Sequence, residues 1–335
     1  MVLSSPRGRA ASIVSSLRRP LGLAGLGLAL AALPSALGAC GGGESGTGGS
    51  GTGSTGTGTG GAGEPVVILD WNLHNFFDDK KNSTAPQETV VSTAEYQAHV
   101  SSAAAVLSAL DPDVAVFAEI ENQPVLEALN QKLGGKYADL AIVPSPNDPR
   151  GINVAAISKI KFTSVVSHQT DSFTLHGAPA PSYKYTRDCV EYHFTKNGRN
   201  IILLGVHFRS KVAPDDPNKR LAEAQHTRDI ADGLAKADPT AAIIILGDMN
   251  DVPGSEPVTA AQGTGASAYT DAASSAPSGD QWSFLFMGTQ ELIDHQLSNP
   301  VLAPMLDTKS VQIKHGADVD AASDHGPIVA TYLVK

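Results

Sequence analysis

Cysteine is almost missing from this sequence: Cys40 and Cys189 are the only two in 335 residues. No framework of disulfides can staple the fold, so burial of a core must hold it together. Bases are scarce as well, with Lys+Arg 24 against Asp+Glu 34 and a net charge of −10. Four of those bases, Arg7, Arg9, Arg18 and Arg19, fall in an opening stretch without acids; the remainder carries 20 bases against 34 acids, or −14. A protein that grips nucleic acid by blanketing phosphates with Lys and Arg is disfavoured by that balance. A site that holds a cation among carboxylates is not. The sequence also has no Gly-x-Ser-x-Gly elbow, no Walker A loop and no paired Cys-x-x-Cys, which argues against a serine hydrolase, a P-loop enzyme and a zinc module. With 41% hydrophobic and 17% charged residues the chain is globular in composition, neither disordered throughout nor a multi-span membrane protein.

The N-terminus has the form of an export signal. An arginine-bearing segment precedes an apolar run from Leu21 to Leu33, too short to span a bilayer, and small residues lead to Leu37-Gly38-Ala39-Cys40. That ending resembles a bacterial lipobox, which makes Cys40 the expected lipid-modified first residue of the mature chain. Residues 1–39 are thus read as a signal peptide and residues 40–64 as a flexible tether of Gly, Ser and Thr. Its r.m.s. reach is roughly 25–30 Å by the Gly-rich coil rule. The protein is expected to be a monomeric cell-envelope lipoprotein at the outer membrane or cell surface, held through Cys40 at a membrane, with Gly41 a hint toward the outer membrane and no protein partner implied.

Residues 65–335 form the working domain. Val66–Leu69, Asp113–Phe117, Ile201–Leu204 and Ala242–Leu246 are short apolar runs bounded by turn or polar residues, the pattern of buried strands. Thr93–Leu110 and Asn218–Ala237 carry helical periodicity. Strands mixed with helices predict an α/β (α+β layered) domain.

The polar residues fall at the strand ends. Asp70 to Asn75 follow the first run, Glu119 to Asn122 the second, His207 to Ser210 the third, and Gly247 to Asp251 the fourth; Asp294 with His295 and Ser323 to Gly326 come near the C-terminus. Glu and Asp supply hard oxygen donors for a divalent cation, and His beside Asp suits proton transfer. Taken singly, an acid at a strand end is more often a cap or a solvated loop residue.

In this order the clusters resemble the endonuclease/exonuclease/phosphatase superfamily, over about Val66 to Val334. The Trp71-Asn72 opening, Pro112-Asp113-Val114 ahead of Glu119, Gly247-Asp248-Met249-Asn250 and Ser323-Asp324-His325 carry the resemblance. It implies a four-layer α/β-sandwich, two packed sheets flanked by helices, that hydrolyses phosphoester bonds with Mg²⁺, or with Mn²⁺ or Ca²⁺. It implies that Asn72, Glu119 and Asp324 serve the metal and that His207 holds a phosphate oxygen. Asp248 and Asn250 would orient the attacking water, and His325, oriented by Asp294, would be the acid/base. Arg150, Asn153 and Arg209 would meet substrate at the rim. Ala118 stands where many members have Gln, and Met249 where Phe is frequent.

Other residues invite plainer readings: Trp71 as core, His295 as a pocket or strand residue, His226 as surface or groove lining. Lys211, Lys219, Arg220 and Arg228 are a modest supply of bases for a nucleic-acid backbone. The substrate expected is therefore a nucleic acid, with a phosphorylated small molecule or lipid head group as the alternative. A non-catalytic surface binding module is the reading from another class.

Overall fold

The computed structural model describes residues 63–82, 84–212 and 216–335. The signal peptide, Cys40 and most of the tether read from sequence lie outside the described residues. Strand β1 (Glu64–Phe76) leads to helix α1 (Thr93–Leu110), β2 (Val114–Ile120), α2 (Gln123–Lys132), β3 (Asp139–Ile142), β4 (Asn153–Ser158) and β5 (Ser164–Ser167). A small ribbon of β6 (Phe173–Thr174) and β7 (Ser182–Tyr183) precedes β8 (Cys189–Lys196), β9 (Arg199–His207), α3 (Pro217–Ala237), β10 (Ala242–Asp248), α4 (Glu256–Gln262) and β11 (Thr270–Asp271). A second ribbon, β12 (Phe284–Phe286) with β13 (Thr289–Glu291), is followed by β14 (Asp294–Ser298), β15 (Leu306–Ile313), the short α5 (Ala317–Asp320) and β16 (Ile328–Val334).

Two six-stranded sheets result, ordered β15-β16-β1-β2-β4-β3 and β11-β14-β10-β9-β8-β5. Each central strand is apolar on both faces, so each sheet must be covered twice. Val66, Ile68, Val116, Ile201, Leu203, Ile244, Leu246 and Ala330 point into the layer between the sheets. Their alternates point outward: Leu69, Trp71, Ala115 and Phe117 pack under Val100, Leu107, Val125 and Leu129 of α1 and α2. On the other side Ile202, Leu204, Ile243 and Ile245 pack under Ala222, Ala231, Val258 and Ala261 of α3 and α4. The period of two is thus what produces the helix–sheet–sheet–helix sandwich.

The helix boundaries have local causes. Ser92 and Glu95 form a reciprocal capping box, Glu95 N–H to Ser92 Oγ at 3.2 Å and Ser92 N–H to Glu95 Oε2 at 3.0 Å. The far end of α1 stops at Asp111, which turns left-handed (φ 46°) ahead of Pro112. Cys189 is buried as a free thiol and packs as a small apolar residue.

Topology then fixes where the polar strand ends go. β1 and β2 run parallel, as do β9 and β10, while β16 and β14 pair antiparallel to β1 and β10. The C-terminal ends of the four parallel strands and the N-terminal ends of β14 and β16 therefore share one rim.

The sheets pack tightly at Gly205, where an added Cβ would lie 2.8 Å from Val116 Cγ1 and 3.0 Å from Val154 Cγ1. Gly205→Ala is expected to destabilise the protein by about 1–3 kcal/mol through overpacking. Gly233, on an exposed part of α3 with no atom near its would-be Cβ, should instead gain about 0.5–1 kcal/mol as alanine. Urea denaturation of the two variants checks this; equal effects would contradict the packing account.

Candidate active site

Register places three site residues side by side: Asp248 is opposite His207 on β9 and opposite Asp294 on β14. The backbone is bent to aim them. Gly247 has φ +125°, and a Cβ there would sit 2.2 Å from Val206 O, so the residue before Asp248 must be glycine. Glu119 (φ 66°) lies where the pairing of β2 with β4 slips between Phe117 and Ile120, a bulge that re-aims its side chain. His74, Asn75 and Asn250 also have positive φ. Such conformations cost of order 1–3 kcal/mol each and gather at functional sites.

Asn72 donates from its amide nitrogen to Asp248 Oδ2 at 3.0 Å, while its oxygen accepts from His74 N–H at 2.9 Å. That amide orients the Asp248 carboxylate. The other Asp248 oxygen accepts from Asn250 N–H at 2.8 Å, and Asn250 itself is anchored by Nδ2 to Phe208 O at 3.1 Å. His207 Nε2 lies 3.4 Å from Asp248 Oδ2 and 4.0 Å from Glu119 Oε1. Glu119 accepts from Asn75 N–H at 2.7 Å and faces Arg150 Nη2 at 3.7 Å; Arg150 Nη1 also donates to Asn75 Oδ1 at 3.0 Å. On the other wall His325 Nδ1 meets Asp294 Oδ2 at 2.7 Å, which leaves Nε2 facing the site, 4.0 Å from Asp324 Oδ1. The loop is fixed from below by Trp71, whose indole N–H donates to His325 O at 2.7 Å, and by Ser323 Oγ, which donates to Asn72 O at 2.6 Å.

The electrostatics follow from burial and these pairings. Burial, then the neighbouring Asp294 carboxylate, lifts Asp248 above the usual carboxylate range. Burial works against a charged His325, but the charge and hydrogen bond of Asp294, aided by Asp248 and Asp324, outweigh it and push the imidazole up to about 10. His207 is held well below the usual histidine range by burial, with Arg187, Arg150 and His325 adding to the effect. At neutral pH the site thus holds one imidazolium and one neutral imidazole.

The carboxylates fit a hard divalent cation. Polar atoms of Asp248, Asp294 and His325 lie within 4.8 Å of one another, the one such acid and imidazole cluster among the described residues, and in it the acids would hold the ion while the imidazolium stays a proton donor. Asp294 Oδ1 is buried without a hydrogen-bond partner, an uncompensated oxygen that a cation would satisfy. Glu119 and Asp324 add carboxylates at either side, with Asp324 the more exposed.

Asn153 and Arg209 stand differently from the rest. The Asn153 amide donates to Glu121 O at 2.9 Å and Gly151 O at 3.0 Å and accepts from Ser145 N–H at 2.7 Å, so it ties the Arg150 loop together. Arg209 lies just past His207, with its main-chain N–H on Glu223 Oε2 at 2.6 Å. His295 is fully buried between Asp271 Oδ2 (2.7 Å) and Asp251 O (3.0 Å), and His226 stacks on Phe173 at 4.5 Å. Two of the bases read as backbone contacts are buried and engaged in the fold: Arg220 with Asp251 at 3.1 Å and Arg228 with Asp232 at 2.8 Å. Lys211 pairs with Asp251 at 2.9 Å. Sequence reasoning gave no role to Arg187, which is buried between Asp148 Oδ2 (2.9 Å) and Phe208 O (2.7 Å) and so braces the loops of Arg150 and His207. Nor did it give one to His74, 3.5 Å from Asp324 at the rim. Nothing in an isolated Arg-Asp or a loop His marks such contacts.

A family model described as the Endonuclease/Exonuclease/phosphatase family matches residues 67–275. No curated protein matches the sequence. In fold, an endonuclease/exonuclease/phosphatase from Bacteroides vulgatus is similar at 15% identity and TM-score 0.56, over 81% of this chain and 100% of that one. The catalytic domain of human Nocturnin with bound sulfate anion is similar at 13% identity and TM-score 0.56, over 80% and 94% of the two chains. A mannosyl-6-phosphatase from Bacteroides thetaiotaomicron is similar at 14% identity and TM-score 0.53, over 79% and 98%. At these identities the likeness speaks to the fold alone, but the family model spans more than half of the chain. The chain belongs to the endonuclease/exonuclease/phosphatase family of divalent-metal-dependent phosphoester hydrolases.

Proposed function

We propose that this protein is an exported, lipid-anchored phosphodiesterase that cleaves a P–O bond by direct attack of water, using Mg²⁺ or, in its place, Mn²⁺ or Ca²⁺. The observation that carries this reading is the pairing, across one rim, of a carboxylate held by Asn72 and Asn250 with an imidazolium held by Asp294. A cation bound by Glu119 and Asp324, beside the cluster of Asp248, Asp294 and His325, would neutralise phosphate charge and polarise phosphorus.

The chain's own residues do the rest. Asp248, with both oxygens fixed by donors, orients a water and accepts its proton as the oxygen attacks phosphorus. Asp294 fixes the tautomer of His325 and supports its charge, so Nε2 can give a proton to the leaving ester oxygen. His207 stays neutral and can donate to a phosphate oxygen, while Arg150 offers its guanidinium to the phosphate at the mouth of the site.

A nucleic-acid diester is the first substrate proposed. The phosphatase or phospholipase C-type alternative is favoured by one observation, the engagement of Lys211, Arg220 and Arg228 with acids of the fold. The fold-level likeness to a mannosyl-6-phosphatase agrees with it. Parallel assays with DNA, sphingomyelin and inositol phosphates separate the two. Metal binding without turnover of any phosphoester would favour a binding module.

Hydrolysis of bis-p-nitrophenyl phosphate with Mg²⁺ should fall about 10²–10⁴-fold in Asp248→Ala and His325→Ala and stop in EDTA. His176→Ala, an exposed histidine paired with Asp229 at 2.9 Å, should keep it; turnover that persists in EDTA would sink the proposal.

The pH dependence has a defined sign. A raised histidine contributes stability that is fully present below its unfolded value of about 6.5 and is lost as pH rises through the folded value, here about 10. Asp294→Asn removes the cause of the rise, so the alkaline limb of kcat/KM should move toward neutral by roughly one pH unit or more. An unmoved limb would separate His325 from the proton transfer. For the anchor, Cys40→Ser should release the protein from the membrane fraction and abolish labelling by a fatty-acid precursor.

A further inference from the structure

Of the chain's aromatic residues, all of which fall among the described residues, Phe286 is the one whose exposure is high, at 50%. It stands at the tip of the β12–β13 hairpin between Leu285 (51% exposed) and Met287 (92% exposed). Burying a Phe ring is worth about 1.5–3 kcal/mol, so an exposed Phe-Met tip contributes nothing to the fold that would explain it. The hairpin is also tied at its root beside the catalytic pair. Ser283 at its root accepts the Asp294 N–H on Oγ at 3.0 Å and the Gly326 N–H on its carbonyl at 2.7 Å. Phe284 bridges to His325 along the backbone, and its ring lies 4.7 Å from the His325 imidazole at 33°. Phe286 follows on the same face, 6.2 Å from Phe284 at 23°. Three flat rings therefore lead outward from the proton-donating imidazole to solvent.

We propose that Phe284 and Phe286 form a stacking platform for a planar group carried by the substrate, a nucleobase attached next to the scissile phosphate. The inference rests on the phosphodiesterase reading above and names the part of the substrate that the hairpin selects. Charge supports it: the protein is net −10, and Lys211 and Arg220 near the rim are engaged with Asp251, so grip beyond the scissile phosphate cannot rest on a broad basic surface. Stacking on an aromatic face supplies such grip at about 1–3 kcal/mol per base and does not depend on charge. A bilayer surface fits the tip less well, since residues 280–291 contain no Lys or Arg and carry Asp280 and Glu291, the wrong sign for anionic lipid.

The test is a ratio. Thymidylyl-thymidine and its counterpart with both bases replaced by hydrogen are cleaved by the full-length protein with Mg²⁺, and kcat/KM is measured for each by chromatography. The preference for the base-bearing diester should fall about five- to tenfold in Phe286→Ala and return in Phe286→Trp but not in Phe286→Leu. Val166→Ala, an exposed apolar residue on β5, should leave it unchanged. An unaltered ratio in Phe286→Ala overturns the platform, and full recovery by Phe286→Leu overturns stacking in favour of plain apolar contact. Loss of sedimentation with phosphatidylcholine vesicles in Phe286→Ala, with the ratio intact, assigns the tip to a bilayer instead. If wild type cleaves bis-p-nitrophenyl phosphate but neither dinucleotide, the base platform falls while the phosphodiesterase reading stands. If it cleaves no phosphoester at all, that reading has failed.

Discussion

Two sheets whose central strands are apolar on both faces can be solvent-free only if they cover each other and are each covered again by helices. Everything else in the molecule follows from that requirement. The sheets meet through a layer so close that β9 carries a glycine at the crossing. The helices are drawn to the outer faces, and the hydrophobic repeat ends abruptly where each strand reaches the rim. Polar side chains placed at those ends are half in the interior and half in water, where burial changes their chemistry without removing them from a substrate's reach.

The site uses this intermediate environment to prepare two groups. Asp248 is buried near another carboxylate and becomes reluctant to ionise, whereas His325 is buried against a carboxylate and becomes reluctant to lose its proton. The same low-polarity floor therefore makes Asp248 readier to take up a proton from water and lets His325 carry one for the leaving oxygen. His207 is driven neutral chiefly by burial, with the charges of Arg187, Arg150 and His325 adding to the effect. Asp248 and His207 lie side by side on adjacent strands, and the same burial raises the one and lowers the other because it disfavours whichever form is charged.

The layered α/β class, the central strands and the long helices could be read from apolar periodicity, since burial on both faces leaves a continuous run such as Ile243-Ile244-Ile245-Leu246. The convergence of Asn72, Asp248, Asp294 and His325 was legible as polar clusters at strand ends in a recognisable order. Their mutual distances were not, because they depend on register and on backbone bends at Gly247 and Glu119 that no local pattern announces. Long-range braces were invisible for the same reason. Arg187 reads as an ordinary base in sequence, yet it joins Asp148 to the His207 loop through two buried bonds. Arg220 and Arg228 read as surface charge on a helix and instead lie buried in ion pairs, which thins the basic surface that the sequence suggested.

The indole of Trp71 sits among core residues under α1, yet its N–H holds the His325 carbonyl. The protein has one other tryptophan, Trp282, whose ring stacks on His315 at 3.8 Å, at the root of the apolar hairpin. The two indoles thus bracket the segment from His315 to His325, one from the interior and one from the rim. Intrinsic fluorescence of this protein is consequently a local signal: its emission reports the packing of the loop that carries the imidazolium, with no label added.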